Sequence, residues 1–401
     1  MGQLEIEKIT ETTFVLQMGP HHPATHGVLK LLCEFEGERV IKITPDVGYL
    51  HRGVEKLSEN KTYPGAMTLT DRLDYISSMT NNIGYCLAVE RLMGIEPPPR
   101  AKFIRTMVAE LTRLSSHLLW LATHALDIGA MTVFLYAFRE REQILQFFEK
   151  ICGARLTVSY PRIGGVRIDV KQHVLDEIYK FMDVMLQRVD EYESLLTENR
   201  IWLARTKGIG IITAEKAISM GLTGPALRGS GVYYDIRKHL PYDAYSEVDF
   251  EVPLGENGDT YDRYLCRIRE MRQSALIVKQ CIEKMPEGEI ISNSSPDLDM
   301  PHQLKRKIEP DDSLWSGFIA FSEEKQEIMP KGEIYSAIEA PKGELGFYIV
   351  SDGSGRPYRM RVRAPSFIHI SAIPELCEGH LLADVITIIG TLDIVMGEAD
   401  R

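Results

Sequence analysis

Three histidines crowd into one short loop, Gly19-Pro20-His21-His22-Pro23-Ala24-Thr25-His26-Gly27. Imidazole changes charge near neutral pH and is the commonest metal ligand, so such a loop offers proton chemistry or coordination. His22 and His26 are four apart, the spacing at which a helix would turn both rings toward one metal ion. Pro23 lies between them and argues against that helix, and so against coordination. The bland alternative is a turn with incidental histidines, because proline and glycine punctuate turns everywhere. Two further stretches concentrate charge: Thr70-Asp71-Arg72-Leu73-Asp74-Tyr75, and the last nine residues, Asp393 to Arg401.

The loop needs a support, and the flanking residues supply one. Phe14, Leu16 and Met18 alternate before it; Leu29, Leu31, Cys33 and Phe35 alternate after it, and Gly37 turns the chain toward Val40, Ile41 and Ile43. This period of two predicts a small antiparallel sheet with the histidines at its tip, facing a cleft. Helical periodicity then takes over. A helix is expected over residues 66–93, closed by Pro97-Pro98-Pro99. A stripe of Ile104, Met107, Val108, Leu111, Leu114, Leu118 and Leu119 then predicts a helix of about five turns, stopping at Gly129. Two more helices follow over 132–151 and 170–198, and four long helices with short connections predict a bundle. Arg139-Glu140-Arg141-Glu142 reads as a solvated or interhelical charge face. Residues 208–257 read as loops with short elements; their Gly229-Ser230-Gly231 lacks the rest of a phosphate-binding pattern. A helix over 261–285, a polar stretch over 286–330, strands over 333–340, 344–351 and 358–363, and an amphipathic helix from Leu381 to Arg401 complete the chain.

The 401 residues suggest two or three domains by length, with composition close to the globular average at 44% hydrophobic and 26% charged. The elements divide into 1–60, 61–206, 207–330 and 331–401, taken as parts of one integrated α+β domain: a central long-helix bundle with small antiparallel sheets from both terminal regions. A formal charge of −11 argues against nucleic acid as partner. The longest apolar run, Leu381 to Gly397, is interrupted by Asp384 and Asp393 and is not expected to span a bilayer. The opening residues read as neither a signal nor a transit peptide. Six cysteines stand at 33, 86, 152, 266, 281 and 377 with no C-x-x-C, which predicts packing rather than a cluster or zinc site.

Several ordered motifs then carry a resemblance. The histidine loop, Gly48-Tyr49-Leu50-His51-Arg52-Gly53-Val54-Glu55-Lys56, Tyr136-Ala137-Phe138-Arg139-Glu140-Arg141-Glu142, Arg162-Ile163-Gly164-Gly165-Val166, Leu345-Gly346-Phe347-Tyr348-Ile349-Val350-Ser351-Asp352-Gly353 and the terminal nine residues together resemble the 49 kDa-type subunit of respiratory complex I, the proton-pumping NADH:quinone oxidoreductase. That family is related to the large subunit of nickel–iron hydrogenases, which implies a hydrogenase-like fold. Hydrogenases bind their metals through Arg-x-Cys-Gly-x-Cys and Asp-Pro-Cys-x-x-Cys-x-x-His/Arg. Arg72-Leu73-Asp74-Tyr75-Ile76-Ser77 resembles the first and Asp393 to Arg401 the second, so that Asp74, Ser77, Val395 and Glu398 stand at the four cysteine positions. Nickel with low-spin iron requires thiolate, so the resemblance implies a site emptied of metal.

The resemblance further implies that the emptied site receives a quinone headgroup beside a partner subunit carrying the last iron–sulfur cluster, with no cofactor held by this chain. Quinone reduction takes two electrons and two protons, and both carbonyl oxygens gain negative charge. His26 and Tyr75 match the family residues that bracket the headgroup, and both can donate a hydrogen bond and then a proton. Asp127 matches the carboxylate that pairs with His26, and His22 is a supporting loop residue. Arg52 and Arg72 match arginines near the partner's cluster. Many relatives carry a histidine after the dipeptide matching Arg155-Leu156; Thr157 stands there, which predicts a cluster potential nearly independent of pH and suited to a low-potential quinone such as menaquinone. Implied partners are the iron–sulfur subunit, other peripheral-arm subunits and a membrane-arm subunit at the quinone channel. The implied place is the cytoplasmic face of a bacterial inner membrane, held peripherally. The competing readings are a working hydrogenase subunit, a non-catalytic scaffold for the iron–sulfur subunit, and the same quinone chemistry driven by ferredoxin or a deazaflavin.

Overall fold

The computed structural model describes residues 5–8, 13–22, 27–295 and 329–401. His26 and most of the stretch read over 286–330 lie outside the described residues. The first strands, β1 (Glu5–Lys8), β2 (Thr13–Met18), β3 (Lys30–Glu36) and β4 (Arg39–Asp46), form an antiparallel meander in chain order. Alternation decides its faces: Leu31, Cys33 and Phe35 are buried, while Leu32 and Glu34 are only partly covered. Phe14 and Phe35 pair across β2 and β3 with ring centroids 5.3 Å apart, adding directed stacking to apolar burial. The sheet lays its buried face on C-terminal residues Leu376, Cys377, Val385, Ile388 and Ile389, forming one core.

A second, larger core lies in the bundle of α3 (Ser78–Met93), α4 (Pro99–Asp127), α5 (Met131–Cys152), α6 (Gln172–Leu196) and α11 (Thr260–Lys284). Its termini follow sequence chemistry: Gly94 at φ 69° ends α3, Gly153 at φ 81° ends α5, and the Asp259 side chain caps α11 by accepting from Asp262 N at 2.9 Å. α4 runs 29 residues, about eight turns rather than five, because Thr112, Ser115 and Ser116 continue its buried face between the apolar positions. The Arg139-Glu140-Arg141-Glu142 face is interhelical: Tyr192 on α6 donates to buried Glu140 at 2.5 Å. The antiparallel sheet of β7 (Gly332–Ala340), β8 (Gly343–Ser351) and β9 (Arg359–Arg363) packs on α3. A Cβ on Gly84 would stand 3.0 Å from the Phe347 ring and 3.2 Å from Ile338, so helix and sheet meet where any side chain would have to push its neighbours aside.

Two expected helices are broken, and both breaks shape the site. Residues 66–93 hold two helices, α2 (Tyr63–Thr70) and α3, separated by a turn at 71–77. The Asp74 side chain accepts from Ile76 N at 3.1 Å, closing a turn that competes with helix, and Asn81 and Asn82 on α3 reach back to Asp74 O at 2.9 Å and Thr70 Oγ1 at 2.9 Å. The terminal helix is likewise two, α14 (Leu382–Leu392) and α15 (Met396–Ala399), parted at Asp393, which takes a left-handed φ of 53°. The six cysteines form no disulfides with one another, and all but Cys152 are fully buried, in keeping with a packing role. Among the described residues no helix is long and apolar enough to cross a membrane. Gly84→Val should destabilise the fold by about 1–3 kcal/mol through overpacking against Phe347 and Ile338. Equilibrium unfolding measures this, and an unchanged midpoint would contradict the tight α3–sheet contact.

Candidate active site

The turn at 71–77, the loop at 48–55 and the terminal residues 393–401 meet at one junction. The Arg52 guanidinium donates to Gly397 O at 3.0 Å and also to Arg72 O, so one side chain ties all three. The Asp400 carboxylate accepts from Gly48 N at 2.8 Å and Leu50 N at 2.7 Å, and His51 Nδ1 lies 2.6 Å from the Asp400 main-chain oxygen. Arg401 adds an ion pair to Glu55 at 3.1 Å. A Cβ on Gly397 would stand 2.5 Å from Leu73 O, so only glycine lets the tail approach the turn this closely. Burial, and then the neighbouring Arg72 charge, push the Arg52 guanidinium below its ordinary range.

Asp74, Ser77, Val395 and Glu398 are all buried, and they belong to the two segments brought together here. Ser366, on α12 (Pro365–Ser371), links the last two of them, donating its N–H to Glu398 Oε1 at 2.9 Å and accepting from Val395 N at 3.1 Å. Between the segments lies the Lys342 ammonium, 3.0 Å from Asp74 Oδ2, 3.6 Å from Asp393 Oδ2 and 3.1 Å from Ser116 Oγ on α4, with no exposed surface. Burial works against its charge, but Asp393, Asp74 and Glu398 outweigh that and hold the ammonium well above its ordinary value. Burial, then Asp74, push the Glu398 carboxyl up to about 7, with Lys342 opposing them.

Tyr75, on the same turn, is 40% exposed and opens into a small cleft walled by Leu145, Phe148, Arg155, Leu156 and Thr157. The structure thus joins Tyr75 and Thr157 at one cleft, and Thr157 holds a left-handed φ of 50° there. Burial, followed by the adjacent Asp74 charge, raises the Tyr75 phenol above its ordinary value, while Lys342 and Arg52 act against them. Arg72 is exposed beside it. Asp127 stands elsewhere, on the last turn of α4 where that helix crosses α14: a Cβ on Gly390 would lie 3.5 Å from Asp127 Oδ2. His22 bridges to Gly27 across the base of the histidine loop.

Comparison with known proteins gives the family. The family of the 49 kDa subunit of respiratory-chain NADH dehydrogenase matches residues 127–401. The second D-type NADH-quinone oxidoreductase subunit of Thermodesulfovibrio yellowstonii is 90% identical over 401 residues, covering 100% of both chains. The chain belongs to the 49 kDa-subunit family. The D-type subunit of Geotalea uraniireducens is 52% identical over 96% of this chain and 98% of its own, and the second D-type subunit of Koribacter versatilis 48% identical over 99% and 98%. The mixed helical and small-sheet architecture is the hydrogenase-large-subunit-like α+β fold expected of this family.

Lys342 escaped sequence reasoning. It sits in a turn, Ala340-Pro341-Lys342-Gly343, where a lysine ordinarily faces water. The available signal was a charge count: a pocket without metal that holds Asp74, Asp393 and Glu398 requires a cation. Among the described residues no three His, Cys, Asp or Glu side chains are arranged to hold a metal ion. Glu398 has a raised folded value, so its neutral form favours the fold. That stabilisation is full below about pH 4.5 and is lost as pH rises through about 7. Glu398→Gln should therefore flatten the decline of thermal stability across that window. Melting curves with the same slope in both proteins would show that the site titrates differently.

Proposed function

We propose that this chain is the quinone-site subunit of its complex, with the headgroup entering the cleft at Tyr75 and protons coming from Tyr75 and His26. As a family member it is one subunit of an NADH:quinone oxidoreductase. One observation carries the finer reading: a phenol, Tyr75, is presented by a broken helix into a cleft of mixed apolar and polar lining, on the turn that resembles a metal-binding motif of hydrogenases. The cleft encloses little more than the space of one water, far below the roughly 300 Å³ at which ligand pockets begin, which supports a site completed by neighbouring subunits.

In this reading the two electrons would come, one at a time, from an iron–sulfur cluster held by a partner subunit. Each quinone oxygen gains charge as it is reduced, and a donor at each end delivers one proton, leaving a phenolate and a neutral imidazole that refill from water. Asp127 pairs with His26 and favours its charged form until that proton leaves, and the freed carboxylate starts the rearrangement toward the membrane arm. His22 supports the loop. Arg52 and Arg72 lie toward the partner's cluster, where fixed positive charge favours the reduced state. The chain is held peripherally at the cytoplasmic face of the membrane, against the iron–sulfur subunit, other peripheral-arm subunits and a membrane-arm subunit.

Tyr75→Phe should lower quinone reduction by the assembled complex roughly a hundredfold while leaving NADH oxidation by ferricyanide intact. Equal quinone turnover in variant and parent would remove Tyr75 as a donor. Thr157 carries no titrating imidazole beside the cluster, so a redox titration should find the terminal cluster's potential nearly constant between about pH 6 and 8, and Thr157→His should introduce a slope. A full slope in the parent would defeat this.

A further inference from the structure

The quinone reading leaves Lys342 unused, and its placement is too constrained for an incidental contact. The β7–β8 turn that carries it is fixed from three directions. Arg113 on α4 donates to Ala340 O at 3.1 Å and Glu339 O at 2.6 Å. Thr223 Oγ1 accepts from Glu344 N at 3.0 Å. Gly224 and Gly343 press backbone to backbone, so that a Cβ on Gly224 would lie 2.5 Å from Gly343 Cα. The lysine therefore cannot swing out to water without dismantling the hairpin.

Its partners belong to the junction itself. Asp74 precedes Tyr75 on the turn, Asp393 is the residue at which the terminal helix breaks, Glu398 lies on α15, and Ser116 faces it from α4. From these contacts we propose that Lys342 is a positioning residue for quinone reduction, neutralising Asp74 so that Tyr75 can part with its proton beside a buried carboxylate. The inference rests on the reading of Tyr75 as a proton donor. When Tyr75 passes its proton to a reduced quinone oxygen, the O–H bond breaks, the new O–H forms on quinol, and negative charge remains on the phenol oxygen. That charge forms next to Asp74, with Arg52 and Lys342 as the cations acting on Tyr75. Removal of the ammonium leaves two like charges in adjacent residues, one of them on the buried Asp74, and proton release becomes costly. Hydrogenases place metal ions between these two segments; here the cation is covalently part of the chain.

The assembled complex carrying Lys342→Met, Lys342→Met/Asp74→Asn, or Tyr75→Phe tests this, with ferricyanide reduction by NADH as the check on assembly. Asn keeps an oxygen to accept from Ile76 N, so the double variant removes both charges and retains the turn. Lys342→Met should lower quinone kcat roughly tenfold or more with little change in KM, and the double variant should recover most of the loss. If the single variant does not assemble, the double variant decides: assembly with near-parental quinone kcat supports charge neutralisation, and failure to assemble overturns it. Parental quinone kcat in an assembled Lys342→Met complex overturns it, as does a double variant no better than the single. An impaired Tyr75→Phe beside a normal Lys342→Met sinks the lysine's role alone, whereas normal turnover in both sinks the donor reading beneath it.

Discussion

A pair of chain reversals that are distant in sequence must be held against each other by main-chain contacts, and nearly everything else in the molecule serves that constraint. The turn at 71–77 and the tail at 393–401 touch through Gly397, whose lack of a side chain sets the spacing, and through Arg52, which spans Arg72 O and Gly397 O. Asp400 then clamps the loop that carries Arg52 by accepting two of its N–H groups. Charge-assisted bonds of this kind are about twice as strong as neutral ones, and four of them carried by two residues make the junction stiff. Stiffness is what a proton donor needs, because transfer demands hydrogen-bond distance to the acceptor.

The junction in turn depends on an ionic core behind it. Arg228 meets Glu270 at 2.6 Å and Glu339 at 2.6 Å, while Arg237 meets Asp235 at 2.7 Å and Glu110 at 3.1 Å. His117 lies 2.8 Å from Glu270, and burial lowers its value, so the ring is held as a neutral partner more readily than as a cation. Buried pairs contribute little net stability against apolar replacements, but losing one partner costs about 3–5 kcal/mol. Such a core specifies one arrangement of α4, α11 and β7, and through Arg113 it sets where the β7–β8 turn, with Lys342, must lie.

Parts of this were legible in residue order and parts were not, for reasons that can be named. Alternation of Leu31, Cys33 and Phe35 announces the first sheet because burial there is one-sided. The stripe of α4 is equally plain, although its length is underread where small polar residues carry the buried face. The break at 71–77 is invisible to periodicity, since Leu69, Leu73, Ile76 and Met79 continue a helical spacing; the bonds from Asp74, Asn81 and Asn82 that break it are visible only in three dimensions. The reversal at Asp393 is hidden for the same reason. Tyr75 and Thr157 were singled out by family resemblance, and their meeting at one cleft is a fact of the fold that no local pattern predicts.

The proposed reading, in which a lysine carries the charge that metal ions carry in hydrogenases, has a consequence for chemistry. A metal ion between two segments binds thiolates and is itself the reactive centre, so the surrounding turn serves the metal. An ammonium cannot ligate substrate in that way; it can only balance carboxylates and hold them still. On the proposed reading reactivity then moves to what the turn presents, Tyr75, one residue beyond Asp74. The phenol faces the cleft while the charges that tune it stay buried behind it. Burial of Asp74 with Lys342 also limits how far water screens them, so a raising carboxylate and a lowering ammonium both act on the phenol. Burial first, and then the Asp74 charge, raise Glu398, and the Lys342 ammonium that opposes them is shared with Asp74 and Asp393.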